Sequence, residues 1–177
     1  MKKKGSMLIL MLVGVIGLCL SLGNVVLGED DSKGIPECLY CGMDRGKFAH
    51  SRMLITYEDG TEVGTCSIHC MAVDLAINID KGPAGIMVGD YNTKKLIDAE
   101  KALWVMGGSK MGVMTKRAKW AFEKKEDAEK FIKENGGENA TFDTVMKAAY
   151  EDMHQDTKMI REKRKMAKQQ KMEHKHN

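Results

Sequence analysis

The sequence predicts an α+β fold of two ββαβ-like units packed together, followed by a C-terminal helix and a basic tail. Short apolar runs bounded by turn residues occur in pairs, and each pair is followed by a segment whose apolar residues have helical spacing. Each unit has only about 50 residues and would be marginally stable alone. We therefore expect the units to pack on one another or to be stiffened by a bound metal.

The first unit is predicted from strong local signals. Its elements are a strand over 53–57, a strand over 61–65, a helix over 67–77 and a strand over 84–91. Asp59-Gly60 between the first two strands is a hairpin-turn sequence. The second strand delivers Cys66 at its end, and Ser67 is a candidate N-cap for the helix.

The second unit repeats this order with weaker signals. Its elements are strands over 102–106 and 118–122 and an amphipathic helix over 124–134. Gly136-Gly137 ends that helix, and Thr141 or Asp143 opens the last one. Beyond about Asp156 no broad apolar face continues, so we expect the tail to pack against nothing.

The N-terminus is typical of an exported protein. Lysines at 2–4 precede an apolar run over 7–20, and Val26 and Gly28 are small enough for a signal-peptidase site. An uncleaved membrane anchor is the alternative, because 7–28 is long enough to span a bilayer. Either interpretation predicts a periplasmic or other extracytoplasmic location. The predicted organisation is a signal peptide or membrane anchor (1–28), a metal-binding ββαβ unit (29–93), a second ββαβ-like unit (94–155) and a basic Met/His-rich tail (156–177).

The charge is unevenly distributed. The chain has a net charge of +3, but Lys and Arg far outnumber acids from Lys158 onward, so the region before the tail is acidic. An exported protein rarely meets nucleic acid, so we predict no nucleic-acid partner. A solvated tail or contact with an anionic membrane surface fits this pattern better.

Four of the five cysteines fall in two short clusters. Their members and neighbouring candidate ligands are Cys38, Cys41 and Met43 in the first cluster and Cys66, His69 and Cys70 in the second. Thiolates, thioethers and imidazoles select Cu(I) or Zn²⁺ over Mg²⁺ or Ca²⁺. The clusters therefore predict a soft-metal or thiol site.

Four chemistries compete for these residues. Structural zinc would take the four cysteines as a closed tetrahedral set, as in zinc knuckles. Cu(I) would use two or three soft ligands and would accept Met43 or Met71 as a thioether. A redox pair at Cys38 and Cys41 would resemble thioredoxin-like proteins, but their motif begins a helix and this one precedes a hairpin. Two structural disulfides are the fourth alternative, because the protein is predicted to be exported.

Methionine content favours copper. The chain has 15 methionines, and several lie where a core does not need them. Met106, Met111 and Met114 surround a glycine-containing segment, and others occur with histidines in the polar tail. Methionine is also an adaptable core filler and helix former, so for the tail both interpretations stay open.

The sequence resembles the NosL family of copper-binding accessory proteins. The resemblance covers roughly residues 38–149. It rests on the order and spacing of Cys38-x-x-Cys41-Gly42-Met43, Phe48, Asp59-Gly60, Asp90-Tyr91, Ile97-Asp98-Ala99, Ala102-Leu103-Trp104-Val105, Gly108-Ser109, Met114, Phe122, Ala128, Phe131 and Gly136-Gly137. It implies a periplasmic Cu(I) metallochaperone of two ββαβ-like halves, from a family associated with copper delivery to nitrous oxide reductase. By the same resemblance Cys38, Cys41, Met43 and Met114 match the family's motif positions, while Cys66, His69 and Cys70 are additions.

The combined prediction is an exported Cu(I)-binding accessory protein that delivers copper to an extracytoplasmic cuproenzyme or another copper-handling protein. Because no general base, nucleophile triad or phosphate loop appears, we predict no catalysis. The alternatives are a structural zinc-knuckle module and a thiol-disulfide oxidoreductase.

Overall fold

The computed structural model of the protein describes residues 31–174. Its elements are a short 3₁₀ helix (Asp31–Lys33), β1 (Met53–Tyr57), β2 (Glu62–Thr65), α1 (Ile68–Ile77), β3 (Pro83–Gly89), β4 (Leu96–Asp98), β5 (Leu103–Met106), β6 (Lys119–Phe122), α2 (Lys125–Asn135), β7 (Glu138–Ala140) and α3 (Phe142–Glu173). Within these residues no helix has the length and apolar character needed to cross a membrane. The predicted signal peptide or anchor lies outside the described residues.

Two small antiparallel sheets confirm the predicted α+β class. The first has the strand order β2-β1-β3-β4 and the second β6-β5-β7. Each sheet thus has two strands before a helix and one strand after it, and the first sheet has β4 in addition; of the two returning strands, β3 was located in advance from the sequence. The sequence did not predict β4 and β7, because each has only three residues and no long apolar run, and their pairing depends on a neighbouring strand.

The β1–β2 hairpin forms at the predicted turn. Gly60 has a φ of 80°, a conformation that side chains disfavour, and its N–H donates to the Tyr57 carbonyl at 2.9 Å. A side-chain oxygen of Asp59 accepts from the Thr61 N–H at 2.8 Å. This turn fixes the register that carries Cys66 to the end of β2.

The two units are joined through the loop after β3. Asp90 forms a bridge with Ala121 of β6, and the Tyr91 N–H donates to the Ala121 carbonyl at 2.8 Å. The Asp90 side chain also accepts from the Glu123 N–H at 2.9 Å. The units therefore share backbone hydrogen bonds, which confirms the expectation that they pack on one another.

A buried core lies between the first sheet and the long helix. It combines Met53 of β1 and Met71 of α1 with Trp104 of β5 and Val145 of α3, none of them more than 1% exposed. Because this core takes residues from both units and from α3, none of the three parts buries its apolar face alone.

The long helix α3 begins as predicted and then departs from expectation. The Thr141 hydroxyl accepts from the Thr144 N–H, the geometry of an N-cap. The expectation that the chain beyond Asp156 packs against nothing is wrong for its first part. Asp156 is 2% exposed, and the Arg164 guanidinium donates to the Cys41 carbonyl at 3.0 Å. This segment contacts the rest of the protein along a narrow side of the helix that includes polar residues. A search for a broad apolar face in the sequence therefore does not detect the contact.

Candidate metal centre

The first cysteine pair lies in a tight loop before β1. The Cys38 N–H donates to the Met43 carbonyl at 2.8 Å, and the Gly42 N–H donates to the Cys38 carbonyl at 2.9 Å. Gly42 has a φ of 69°, which a side chain would strain. These bonds close the loop and hold Cys38 and Cys41 on one short turn.

The second pair lies at the junction of β2 and α1. Cys66 follows β2 directly, Ser67 is the N-cap residue, and Cys70 lies in the first turn of the helix. The Ser51 hydroxyl donates to the Cys66 carbonyl at 2.9 Å, which anchors this junction to the chain just before β1. The Sγ atoms of Cys66 and Cys70 are 3.8 Å apart.

The hairpin brings the two pairs into one cluster. The four Sγ atoms lie within 4.8 Å of one another, and those of Cys41 and Cys66 are 3.4 Å apart. All four cysteines are free thiols. Four sulfurs at 2.3 Å from a tetrahedral metal ion are about 3.8 Å apart. The donor set and its spacing therefore fit one soft metal ion, and the two sequence clusters converge into one group of sulfurs.

The cluster is closed on one side and more open on the other. Cys38, Cys66 and Cys70 are at most 2% exposed, whereas Cys41 is half-buried. The buried cysteines pack in a second core with residues of the other unit, among them Trp120. Any exchange of ligands with another molecule would therefore begin at Cys41.

Close packing of four thiols separates their acidities. The pKa of Cys38 is lowered because its sulfur is hydrogen-bonded to Cys41 first and also to Cys66 and Cys70. The pKa values of Cys66 and Cys70 are raised, chiefly by their hydrogen bonds with Cys38 and further by burial. A metal cation bound by the four sulfurs would replace their protons.

His69, also a candidate ligand, lies beside the cluster and faces α3. Its Nδ1 is 3.7 Å from Oδ2 of Asp156, and the imidazole is 5% exposed. Burial lowers its pKa, which Asp156 partly offsets. Within the described residues the group of converging ligand atoms consists of the four cysteines, and His69 is not among them.

The candidate methionines separate into two places. Met71 is fully buried in the core between the units. Met43 and Met114 line a cavity of about 460 Å³ together with Met111 and Met159. Met114 also lines a smaller cavity that contains Cys41 and Cys70. Met43 and Met114 also pack against the core cluster that contains Cys38, Cys66 and Cys70, and their role as ligands stays a prediction of the resemblance.

Sequence reasoning missed the tyrosine pair that supports the cysteine loop. Tyr40, inside the Cys-x-x-Cys segment, and Tyr57 of β1 both donate hydrogen bonds to the Asp74 carboxylate of α1. Asp74 is fully buried. Burial and the nearby carboxylate raise the pKa of both phenols. The Tyr40 hydrogen bond thus links the loop with Cys38 and Cys41 to α1, the helix that carries Cys70. The sequence signal for this link was the tyrosine that lies between the two cysteines.

Replacing Tyr40 with phenylalanine is expected to lower the affinity for Cu(I) by about tenfold, the range found for groups that orient metal ligands. The loop would lose its tie to α1 while all four sulfurs remain. Competition against a chromogenic Cu(I) chelator measures the change. Tyr57→Phe is the matched control, because it removes the other bond to Asp74. A similar loss of affinity in both variants would mean that Asp74 supports the fold and does not position the loop.

Comparison with known proteins places the chain in a family. A family model described as NosL matches residues 32–150, more than half of the chain. The chain belongs to the NosL family. The match includes both cysteine pairs and the methionines Met43 and Met114, so the resemblance predicted from the sequence is confirmed.

One solved structure similar to this NosL-family chain is the copper chaperone NosL from Shewanella denitrificans. The two are 24% identical with a TM-score of 0.49, and the similarity covers 60% of this chain and 87% of that chain. No curated protein sequence matches the chain.

Proposed function

We propose that this NosL-family protein binds Cu(I) at the four-cysteine cluster and passes it by ligand exchange to an extracytoplasmic cuproenzyme or another copper-handling protein. The observation that carries the proposal is the convergence of four free thiol sulfurs within 4.8 Å. Thiolate sulfur holds Cu(I) tightly, and family membership supports copper as the ion. Such a transfer requires no catalytic step by the protein.

The surroundings of the cluster support transfer over permanent storage. Cys41 is half-buried, so an incoming ligand can reach one sulfur while the other three still hold the ion. Met114 lines the smaller cavity together with Cys41 and Cys70, and Met43 lines the larger cavity that Met114 shares. Weak soft ligands next to strong ones give Cu(I) intermediate positions on its way out.

Structural zinc is the second candidate, because four cysteines with three buried also suit a closed tetrahedral Zn²⁺ site. A thiol-disulfide oxidoreductase is less well supported. Its Cys-x-x-Cys pair would begin a helix, whereas Cys38 and Cys41 lie in a loop before β1.

Anaerobic loading with equal amounts of Cu(I) and Zn²⁺ distinguishes copper from zinc. We expect Cu(I) to occupy the cluster and to displace Zn²⁺ bound beforehand, as measured by metal content after desalting. Zn²⁺ that copper cannot displace, with all four cysteines protected from alkylation, would contradict the proposal in favour of a structural zinc site. Thiol-dependent reduction of insulin that is lost in Cys38→Ser would instead support the oxidoreductase.

We further propose that the protein works outside the cytoplasm and that the end of α3 contacts an anionic membrane surface. The support is the exposure of residues 165–174, which carry lysines at 165, 168 and 171 against one acid, Glu173. Sedimentation of the protein with vesicles containing anionic phospholipid tests the contact. Equal binding to neutral vesicles, or none to either kind, would contradict it, and recovery from the cytoplasmic fraction would contradict the location.

A further inference from the structure

The extension of α3 beyond residue 150 lies outside the part of the chain that the NosL family model matches. Its course has two parts. The first, up to Arg164, contacts the cysteine-bearing half of the protein, and the remainder is exposed. We call residues 156–164 the strap.

The strap is attached on both sides of the cluster. At its start the buried Asp156 accepts from the Lys116 N–H at 3.1 Å and lies 3.7 Å from Nδ1 of His69, the neighbour of Cys70. At its end Arg164 donates to the carbonyl of Cys41 at 3.0 Å. The strap therefore contacts the backbone of one cysteine and the neighbour of another.

The strap also forms a wall of both cavities next to the cluster. The larger cavity, about 460 Å³, has Met43, Met111 and Met114 on the body and Met159, Lys163 and Arg164 on the strap. The smaller, about 170 Å³, contains Cys41 and Cys70 and is walled by Ile160, Arg161 and Arg164. Access to the half-buried Cys41 thus passes beside the strap.

The charges of the strap complement a loaded site. Four thiolates around Cu(I) carry a net charge of −3, and two thiolates around Cu(I) carry −1. Arg161 and Arg164 line the smaller cavity together with Cys41 and Cys70, and Lys163 lines the adjoining larger cavity. Their attraction to the metal–thiolate anion favours the closed position of the strap and would weaken with added salt.

We propose that the strap is a lid that limits how fast the cluster exchanges its ion and how fast its sulfurs react. The part concerning metal release rests on the function proposed above. The part concerning access to Cys41 does not, because the contact of Arg164 with the Cys41 carbonyl and the cavity that Cys41 shares with the strap do not depend on which ion the cluster binds.

Two rates, measured in the parent protein and in Arg164→Gln, test the lid. The matched control is Lys168→Gln, which removes the same charge from the exposed end of the same helix. The first rate is iodoacetamide alkylation of Cys41 in the reduced, metal-free protein, followed by peptide mass mapping. The second is transfer of bound Cu(I) to a chromogenic chelator. Arg164→Gln is expected to raise both rates about fivefold, the effect of one exposed charged hydrogen bond. Lys168→Gln is expected to leave both within about twofold of the parent.

Equal rates in the parent, Arg164→Gln and Lys168→Gln would overturn the lid. If copper binds but its release is unchanged by Arg164→Gln, the lid fails and the proposed function stands. If the cluster does not bind copper, the proposed function fails and the alkylation rates alone decide the lid. Added salt is expected to speed release from the parent more than from Arg164→Gln, and an equal effect would also contradict the proposal.

Discussion

Replacing Cys66 with serine is expected to lower the affinity for Cu(I) by about a hundredfold or more. Cys66 lies within 3.8 Å of both Cys41 and Cys70 in the sulfur cluster, and a serine hydroxyl is a poor ligand for a soft cation. Changes to groups that only support metal ligands already cost tenfold to a hundredfold, so loss of a ligand costs more. Anaerobic competition against a chromogenic Cu(I) chelator measures the effect.

The control for this variant is Met166→Leu, which removes a sulfur from the exposed end of α3. It should bind Cu(I) as the parent does. Circular dichroism should show that Cys66→Ser keeps its secondary structure. A folded Cys66→Ser protein with parental affinity would mean that the copper ligands lie elsewhere, the methionine-lined cavity being the first place to look.

Replacing Arg45 with alanine is expected to lower the free energy of unfolding by about 3 kcal/mol, since it unpairs several buried groups at once. The Arg45 side chain is fully buried and pairs with Asp31. It also donates to the carbonyls of Ile35, Met53 and Thr65. These bonds connect the cysteine loop to β1 and β2. Urea unfolding monitored by circular dichroism measures the loss.

Lys47→Ala is the matched control for Arg45→Ala. Lys47 belongs to the same segment, but its Nζ lies 3.9 Å from Oδ2 of Asp44, and both side chains are exposed. Exposed pairs contribute about 0–1 kcal/mol, so this variant should unfold almost as the parent does. Equal destabilisation by the two substitutions would show that the buried guanidinium is not what holds the loop.

Local signals explain how much of the fold was predictable. Turn sequences such as Asp59-Gly60 and apolar runs such as β1 report on their own neighbourhood, and they placed the first unit correctly. The strand β7 has no such signal, because it forms only where β5 offers free hydrogen-bonding groups. The buried Arg45 was also unpredictable, since arginine is rarely buried unless the fold supplies partners from distant segments.

The kind of ligand at the candidate site was predictable from the sequence. Which neighbouring residues belong to the site or contact it was less predictable. A hairpin between Cys41 and Cys66 allowed the two pairs to meet, but the sequence left open whether they form one site or two, and only the structure brings all four sulfurs together. His69 faces Asp156 of α3 because of its place on the turn of α1. The sequence spacing between His69 and the cysteines does not by itself determine this direction. The strap was missed because helix α3 reaches the cluster through single contacts such as that of Arg164 and not through a broad apolar face.

The backbone at Met114 has a φ of 62°, a conformation that glycine adopts readily and that other residues adopt at a cost of about 1 kcal/mol or more. Glycine at this position would make the segment easier to fold, and it would also remove the thioether from both cavities beside the cysteines. If Met114 takes part in copper handling as proposed, stability and metal handling make opposite demands on one residue. Position 114 would then be where this protein gives up folding free energy to keep a sulfur near the cysteines.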